Sequence, residues 1–424
     1  MNKEALAAIA IFILVLSLVS RRLEKSIVTP PMAYVLFGLL ISSSALGLIQ
    51  EIEITNELIK VLAEITLALL LFTDASRIKF DRLRQEYNLP LRLLGIGLPI
   101  TVVLGTVFAV VLFRDLNIWS AAVLSTILAP TDAALGQAIV NSSRIPASIR
   151  QAINVESGLN DGICLPILLL FFSLAEESKG SGAAYWLEFA SQQVVFGILI
   201  GIAVGYFGIK LIDRSLKWEW ITDSFEDLAV LGLSILAYTC TEIAGGNGFI
   251  AAFVAGLTVG VVARESTLKH LQEFAEAEGQ LLTLISFLLF GAVMVIPSIA
   301  SSTWQMWLYA IGSLTLVRLI SVAIALSGLK LQLDSILIIG WFGPRGIASI
   351  IYGLLMTEKE SLAGSELIFT TMVVTVFVSI FAHGITAYPS SLWYANRIAD
   401  KKDIHYQMPE MIPVPELPVR LPWS

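Results

Sequence analysis

A cluster of polar side chains interrupts an apolar segment at residues 154–162, where Glu156, Ser157, Asn160 and Asp161 lead into a run of Ile, Leu and Phe. Acidic side chains inside such a segment are costly to bury and by default mark a functional site. At helical spacing Ser157 and Asp161 share one face, and Glu156 and Asn160 share the neighbouring face. The first face offers a hydroxyl and a carboxylate to a cation, and the second offers a carboxylate to a buried basic side chain.

The carboxylate of Asp161 determines the chemistry that we expect of this cluster. A buried carboxylate can hold a proton or a small cation, so competition between the two ions produces exchange without any further reaction. The alternative is that Asp161 is a structural partner of another polar side chain.

Two other apolar stretches place a proline beside a charged residue. Pro130 lies two residues before Asp132, and Pro344 directly precedes Arg345. Proline frees backbone groups, which a membrane tolerates only where they line a cavity or are buried in protein. Interrupted helices at corresponding positions of two inverted halves indicate a transport site near the bilayer midplane. Ordinary kinks at the two prolines are the alternative.

The two breaks predict both ion ligands and charge pairs. The carbonyl of Ala129 or Thr131, released by the first break, is a hard-oxygen ligand suited to a small cation. Facing half-helix ends carry partial charges that Asp132 and Arg345 can compensate. Because a buried guanidinium needs a carboxylate, we expect Arg345 to pair with Glu156.

The composition identifies the environment of these residues. Of the 424 residues, 56% are hydrophobic and 14% are charged, and the mean hydropathy is +0.80, which leaves too little charge for a soluble domain of this size. At roughly 20 apolar residues per crossing, the chain is filled by one membrane domain of thirteen predicted helices. They lie near 5–20, 31–49, 57–73, 92–113, 118–140, 151–175, 192–212, 226–243, 248–263, 280–297, 304–327, 334–356 and 366–387.

The basic residues predict the orientation of these helices. Fourteen Lys and Arg lie in the six odd-numbered loops and three in the six even-numbered loops, so the odd loops are expected in the cytoplasm and the N-terminus outside. We expect a transport domain at 1–388 and a short, extended, proline-containing cytoplasmic tail at 389–424. The glycine stripe at Gly197, Gly201 and Gly205 predicts helix packing within the chain in preference to a dimer seam.

Several other classes of function are disfavoured. The net charge of −7 and the scattered Lys and Arg leave no basic patch for nucleic acid. The three histidines, His270, His383 and His405, are too few and too scattered for a metal site, and no cofactor is implied. Arg318, inside the eleventh span, must find a carboxylate or carbonyl partner.

Three strings resemble a known family: VESGLNDG at 155–162, APTDAAL at 129–135 and FGPRGIAS at 342–349. They are similar to the monovalent cation/proton antiporters of the NhaP and mammalian sodium/proton exchanger branch, and the similarity covers nearly the whole chain. The resemblance implies an all-α polytopic membrane fold of about 13 helices, with inverted repeats and two broken helices crossing near the midplane. It also implies a homodimer with an elevator-like movement of a core domain against a dimerisation domain.

The resemblance further implies roles for individual residues. The ion site would comprise Asp161, Asp132, Ser157 and the backbone of Thr131, and Glu156 would pair with Arg345. In the family an Asn-Asp pair marks exchangers regarded as electroneutral, so Asn160 beside Asp161 implies one proton per sodium ion. Two positions depart from the usual pattern. Here the proline precedes the fifth-span Asp132, and the third span ends in Asp74, which is either an equivalent of the family's glutamate or a helix-end residue before a basic loop.

The transported cation stays open at this point. Exchange of Na⁺ or Li⁺ for H⁺ is the leading hypothesis, and K⁺/H⁺ exchange would use the same chemistry in a larger cavity. An intramembrane aspartyl protease would instead use Asp132 and Asp161 as a dyad sharing one proton. The Tyr-Asp and Gly-x-Gly-Asp motifs typical of such proteases do not occur in the chain.

Overall fold

The computed structural model describes residues 3–23, 26–49, 57–78, 88–177, 183–357, 362, 364–399 and 408–411. Within these residues the chain is helical and contains no β-strand. The helices are α1 (Lys3–Leu23), α2 (Pro30–Ile41), α3 (Glu57–Ser76), α4 (Asn88–Leu112), α5 (Ile118–Ile127), α6 (Gln137–Val140), α7 (Ala147–Glu177), α8 (Ala183–Lys217), α9 (Asp223–Ile243), α10 (Gly248–Val262), α11 (Glu265–Leu289, continued by Ile296–Ser301), α12 (Trp304–Ala325), α13 (Leu333–Trp341), α14 (Ile347–Thr357) and α15 (Ser365–Ala399).

The helices confirm the prediction of an all-α polytopic membrane protein. Seven of those described are long and apolar enough to cross a membrane, and five shorter ones are also apolar. Each of the thirteen predicted spans coincides with one helix or with two helices separated by a break. Large apolar side chains face outward, such as Leu18 at 77% and Ile243 at 87% exposure. Such surfaces suit a lipid environment and would be unfavourable in water.

Three of the long helices contain a π-helical turn. These turns lie at Leu93–Gly97 in α4, Phe290–Val295 in α11 and Ser313–Val317 in α12. Pro99 and Pro297 follow the first two, at positions where an α-helical hydrogen bond to the preceding turn is missing. The third turn ends directly before Arg318.

The chain divides into two compact units. The first comprises Met1–Lys60, Leu89–Ser157 and Leu284–Ser424. One of its apolar clusters joins α4, α7, α12, α13 and α15. The members of this cluster include Leu93, Ile149, Val322, Ile339, Phe342, Tyr394 and Ile398, each buried.

The second unit comprises Val61–Asn88 and Gly158–Thr283. Here α8 packs directly on α10 through the glycine stripe. A Cβ atom added to Gly201 would lie 2.7 Å from the carbonyl oxygen of Ala251, and one on Gly205 would lie 2.8 Å from that of Ala255. The expected role of these glycines, close packing of helices within the chain, is confirmed.

The C-terminal part of the chain departs from the prediction. The last long helix continues through Pro389 to Ala399, so the expected extended tail does not begin at 389. Proline removes only one backbone donor from the helix, and Tyr394 and Ile398 beyond it are buried in the first unit's core. Met408–Met411 is also packed and contains a 3₁₀ turn. The predicted tail segments 400–407 and 412–424, and the loop residues Lys25, Lys79, Arg82, Arg84, Lys179 and Lys359, lie outside the described residues.

Candidate functional site

The first predicted helix break is present in the fifth span. Helix α5 begins at an N-cap, where Asn117 Oδ1 accepts a hydrogen bond from the Ser120 amide at 2.8 Å, and ends at Ile127. Residues 128–132 are not helical, and the chain then re-enters a 3₁₀ turn at Ala133–Gly136. Pro130 has no N–H and disfavours helical backbone at the residue before it, so the carbonyl groups of this segment are released from the helix.

The second predicted break separates α13 from α14. Residues 342–346 are not helical and separate Trp341 from Ile347. Glycine is required on both sides of Pro344 because other side chains approach the backbone closely. A Cβ atom on Gly346 would overlap the carboxylate of Asp132, and one on Gly343 would lie 2.5 Å from Nε of Arg318.

The two breaks are bound to each other. The Asp132 amide donates to the Pro344 carbonyl at 2.8 Å, and Asp132 Oδ2 accepts from the Ile347 amide at 3.3 Å. Arg345 Nη1 donates to the carbonyls of Ala129 at 3.1 Å and Pro130 at 3.2 Å. A carboxylate thus lies at the start of α14 and a guanidinium lies beyond the end of α5, which is the charge compensation expected for facing half-helix ends.

Ser157 attaches α7 to the first break. Its Oγ donates to the carbonyl of Thr131 at 2.6 Å, and both residues are buried. The structure therefore brings together Ser157, Thr131 and the crossing that holds Asp132. A carbonyl oxygen has two lone pairs and a hydroxyl oxygen can accept as well as donate, so this contact leaves oxygen lone pairs for a cation.

Asp161 and Asn160 lie one turn further along α7, in the part of the chain that belongs to the second unit. Asn160 is buried and Asp161 is half-buried. In the same unit Asp74 is 8% exposed, in the last turn of α3. A Cβ atom on Gly158 would lie 3.6 Å from the Asp74 Cβ. Asp74 therefore packs against α7 and is not part of an exposed loop.

The pairing predicted between Glu156 and Arg345 is wrong. Glu156 forms a bidentate ion pair with Arg318, with Nη1–Oε1 at 2.6 Å and Nη2–Oε2 at 2.7 Å, and both residues are at most 3% exposed. A planar guanidinium matches a carboxylate best in this two-bond geometry. Arg345 makes its hydrogen bonds to backbone carbonyls of the first break instead.

Two residues of the site were missed from the sequence. Ser379 on α15 accepts a hydrogen bond from the Arg345 amide at 2.6 Å. His383 donates from Nδ1 to the Ser379 carbonyl at 2.9 Å, and its ring lies 4.9 Å from that of Trp341. Ser379 and His383 form a polar pair at four-residue spacing within an apolar helix, and this pattern in the sequence could have indicated their role.

Glu242 caps a helix of the second unit. Its Oε1 accepts from the Gly248 amide at 2.7 Å, at the first residue of α10. A carboxylate at a helix N-terminus satisfies a backbone donor that has no partner inside the helix.

Known proteins resemble this chain in sequence and in fold. The chain is 24% identical over 400 residues to the K(+)/H(+) antiporter NhaP of Alkalimonas amylolytica, an alignment that covers 93% of this chain and 67% of the relative. It is 28% identical over 334 residues to the Na(+)/H(+) antiporter NhaS2 of Synechocystis, covering 76% of this chain and 59% of the relative. The chain thus spans 67% of the first relative's length and 59% of the second's.

The fold matches a solved antiporter structure. The sodium proton antiporter MjNhaP1 from Methanocaldococcus jannaschii superimposes with a TM-score of 0.74 at 21% identity, over 92% of this chain and 99% of that one. A family model described as the transmembrane part of sodium/hydrogen exchangers matches residues 7–393. Because that match extends over nearly the whole chain, the protein belongs to the sodium/hydrogen exchanger family.

Proposed function

We propose that this chain exchanges Na⁺ or Li⁺ for H⁺ by competition of the two ions for the carboxylate of Asp161. Family membership makes the chain a cation/proton antiporter and not an enzyme, so the alternative of an intramembrane aspartyl protease is removed. The observation that carries the proposal is the crossing of the two breaks, joined through Asp132 and Arg345, with Ser157 bound to the first of them. Helix α7 carries Ser157 and Asp161 at four-residue spacing.

The ligands that we propose for the cation are all oxygen atoms. They are the carboxylates of Asp161 and Asp132, the hydroxyl of Ser157 and the carbonyl of Thr131. Hard cations prefer such ligands, and a carboxylate that can also take a proton couples the two ions directly. Asn160 keeps the position beside Asp161 uncharged, which supports an electroneutral exchange of one cation for one proton.

The remaining charged residues near these helices have supporting roles in this proposal. The bidentate pair of Glu156 and Arg318 holds α7 to α12 within the first unit. Asp74, buried beside Gly158, is proposed as a further carboxylate of the ion pathway in the second unit. Arg345 donates hydrogen bonds to the released carbonyls of the first break and compensates their partial negative charge.

The proposed setting is a prokaryotic cell membrane with the N-terminus outside and the C-terminal tail in the cytoplasm. The unequal distribution of Lys and Arg between odd and even loops supports this orientation. A homodimer with elevator-type alternating access is proposed from the resemblance to the family alone.

A second candidate is exchange of K⁺ for H⁺ by the same residues. One relative that aligns with 93% of this chain is named a K(+)/H(+) antiporter, while another is named a Na(+)/H(+) antiporter. The two cations differ in radius, so the size of the cavity around Asp161 decides between them.

The test is a fluorescence dequenching assay on proteoliposomes that contain the purified protein. Each of NaCl, LiCl and KCl is added to vesicles with an acidic interior, with and without valinomycin and K⁺ to clamp the membrane potential. For the Li⁺ and Na⁺ additions we expect saturable proton release that clamping does not change. A response to K⁺ only would favour the second candidate, while no response to any cation would refute exchange by this chain.

A further inference from the structure

Glu410 is a charged side chain buried where none was expected. It lies in the 3₁₀ turn Pro409–Met411, after the last long helix, and its exposure is 0%. Burying a carboxylate without hydrogen-bond partners is strongly unfavourable. The partners of Glu410 therefore show what this short segment does.

The carboxylate of Glu410 caps the half-helix α13. Its Oε1 accepts hydrogen bonds from the Gln332 amide at 3.2 Å and from Ser335 Oγ at 2.9 Å. Gln332 is the N-cap residue of α13, and Ser335 is its third helical residue. In a capping box a glutamate at that third position bonds back to the N-cap amide. Here a glutamate 75 residues away from Ser335 takes this place, and its negative charge also suits the positive end of the helix.

Two further contacts fix the segment to other helices of the same unit. Ser335 has one hydroxyl proton, which it donates to Glu410, so Tyr394 on α15 donates its own proton to Ser335 Oγ at 2.8 Å. The carbonyl of Glu410 accepts from Ser148 Oγ, in the first turn of α7. Met411 packs against the apolar cluster of the first unit. Met408–Met411 thus binds α7, α13 and α15 together.

The same three helices form the candidate site further along their length. Helix α7 carries Ser157, α15 carries Ser379, and α13 leads into the second break. Helix α13 has only nine residues, or about 14 Å at 1.5 Å per residue. Because so short a helix moves as a rigid body, a displacement of its N-terminus at Gln332 also displaces the backbone at 342–346.

We infer that Glu410 is a positioning residue for cation exchange, acting through α13 on the geometry of the broken helix. The inference rests on the proposed function. Loss of a helix cap changes the equilibrium between the ordered and the frayed helix end by about tenfold. The broken helix that follows α13 shapes the cation site. We therefore expect Glu410→Ala to raise the KM for the cation about tenfold and to change the maximal rate per folded protein by less than about twofold.

A conservative variant and a matched control separate positioning from folding. Among the described residues Glu410 Oε2 has no hydrogen-bond partner, so Glu410→Gln keeps the accepting oxygen and should stay within about threefold of the wild-type KM. Glu366→Ala, at an exposed position in the first turn of α15, should leave both parameters unchanged. A merely structural role would reduce the amount of active protein and so lower the maximal rate at unchanged KM. That result would overturn the inference.

Hydrogen exchange in detergent measures the cap without reference to transport. Amides at 332–336 should lose protection in Glu410→Ala and retain it in Glu410→Gln and Glu366→Ala. Unchanged protection in all three variants would refute the capping role. If the wild-type protein shows no exchange with any cation, the proposed function fails. If wild type exchanges and Glu410→Ala matches its KM, only the present inference fails. Should Glu410→Ala not fold, Tyr394→Phe, which removes the donor to Ser335, must still raise the KM, and an unchanged KM would refute the inference.

Discussion

Replacing Asp161 with Asn is expected to abolish cation-driven proton release from proteoliposomes. An amide has nearly the shape of the carboxylate, but it can neither take up and release a proton at working pH nor neutralise a bound cation. Both halves of the exchange cycle are therefore lost in a single substitution. The measurement is the dequenching response to saturating Na⁺ or Li⁺, normalised to the amount of protein in the vesicles.

The matched control for this variant is Asp115→Asn, which makes the same chemical change at an exposed position between α4 and α5. It should exchange cations at the wild-type rate. The Asp161→Asn protein should elute from size exclusion and melt as the wild type does, because the amide keeps the shape of the carboxylate. Persistent saturable exchange in Asp161→Asn would show that another group carries the ions.

Replacing Arg318 with Ala is expected to destabilise the protein strongly. It leaves the carboxylate of Glu156, 3% exposed, without its bidentate partner. Removing one member of a buried ion pair costs about 3–5 kcal/mol. The melting temperature in detergent should fall sharply, and Glu156→Gln should also lower it, since either change leaves a buried partner behind.

A double variant distinguishes pairing from the separate effects of each side chain. Glu156→Gln combined with Arg318→Ala removes both charges, so the stability lost by the double variant should be clearly smaller than the sum of the two single losses. Arg397→Ala is the control, because Arg397 Nε lies 3.3 Å from Asp334 in an ion pair whose arginine is 58% exposed, and such pairs contribute about 1 kcal/mol or less. The observed contact would be contradicted if the stability losses of the two single variants simply added in the double variant. It would also be contradicted if a double variant showed that Glu156 is coupled energetically to Arg345 and not to Arg318.

The helices and both breaks were predictable because local physics determines them. Apolar runs of membrane-spanning length produce helices wherever they occur. Pro130 and Pro344 remove backbone donors that no tertiary contact can restore. The end of α15 was not predictable in this way, since Pro389 is carried inside the helix by the burial of Tyr394 and Ile398.

Partners that are distant in the chain could not be deduced from spacing. The helical period correctly separated Glu156 from Ser157, which bind different partners, but two buried arginines competed for the carboxylate of Glu156. Arg345 did not need Glu156 because it donates to the carbonyls of Ala129 and Pro130. It reaches these carbonyls only because the two breaks meet. Glu410 shows the same limit more strongly. Its capping of α13 joins residues far apart in the chain, and no local motif marks it.

Competition of cation and proton at Asp161 is tested most directly by the pH dependence of the KM for Na⁺ or Li⁺. Wild-type proteoliposomes are assayed at equal internal and external buffer composition, with the membrane potential clamped, across several pH values. One proton competing for one carboxylate should raise the KM by about tenfold for each unit of pH decrease in the acidic range, at a constant maximal rate. A KM that stays constant with pH while the maximal rate falls would mean that protons and cations do not share Asp161.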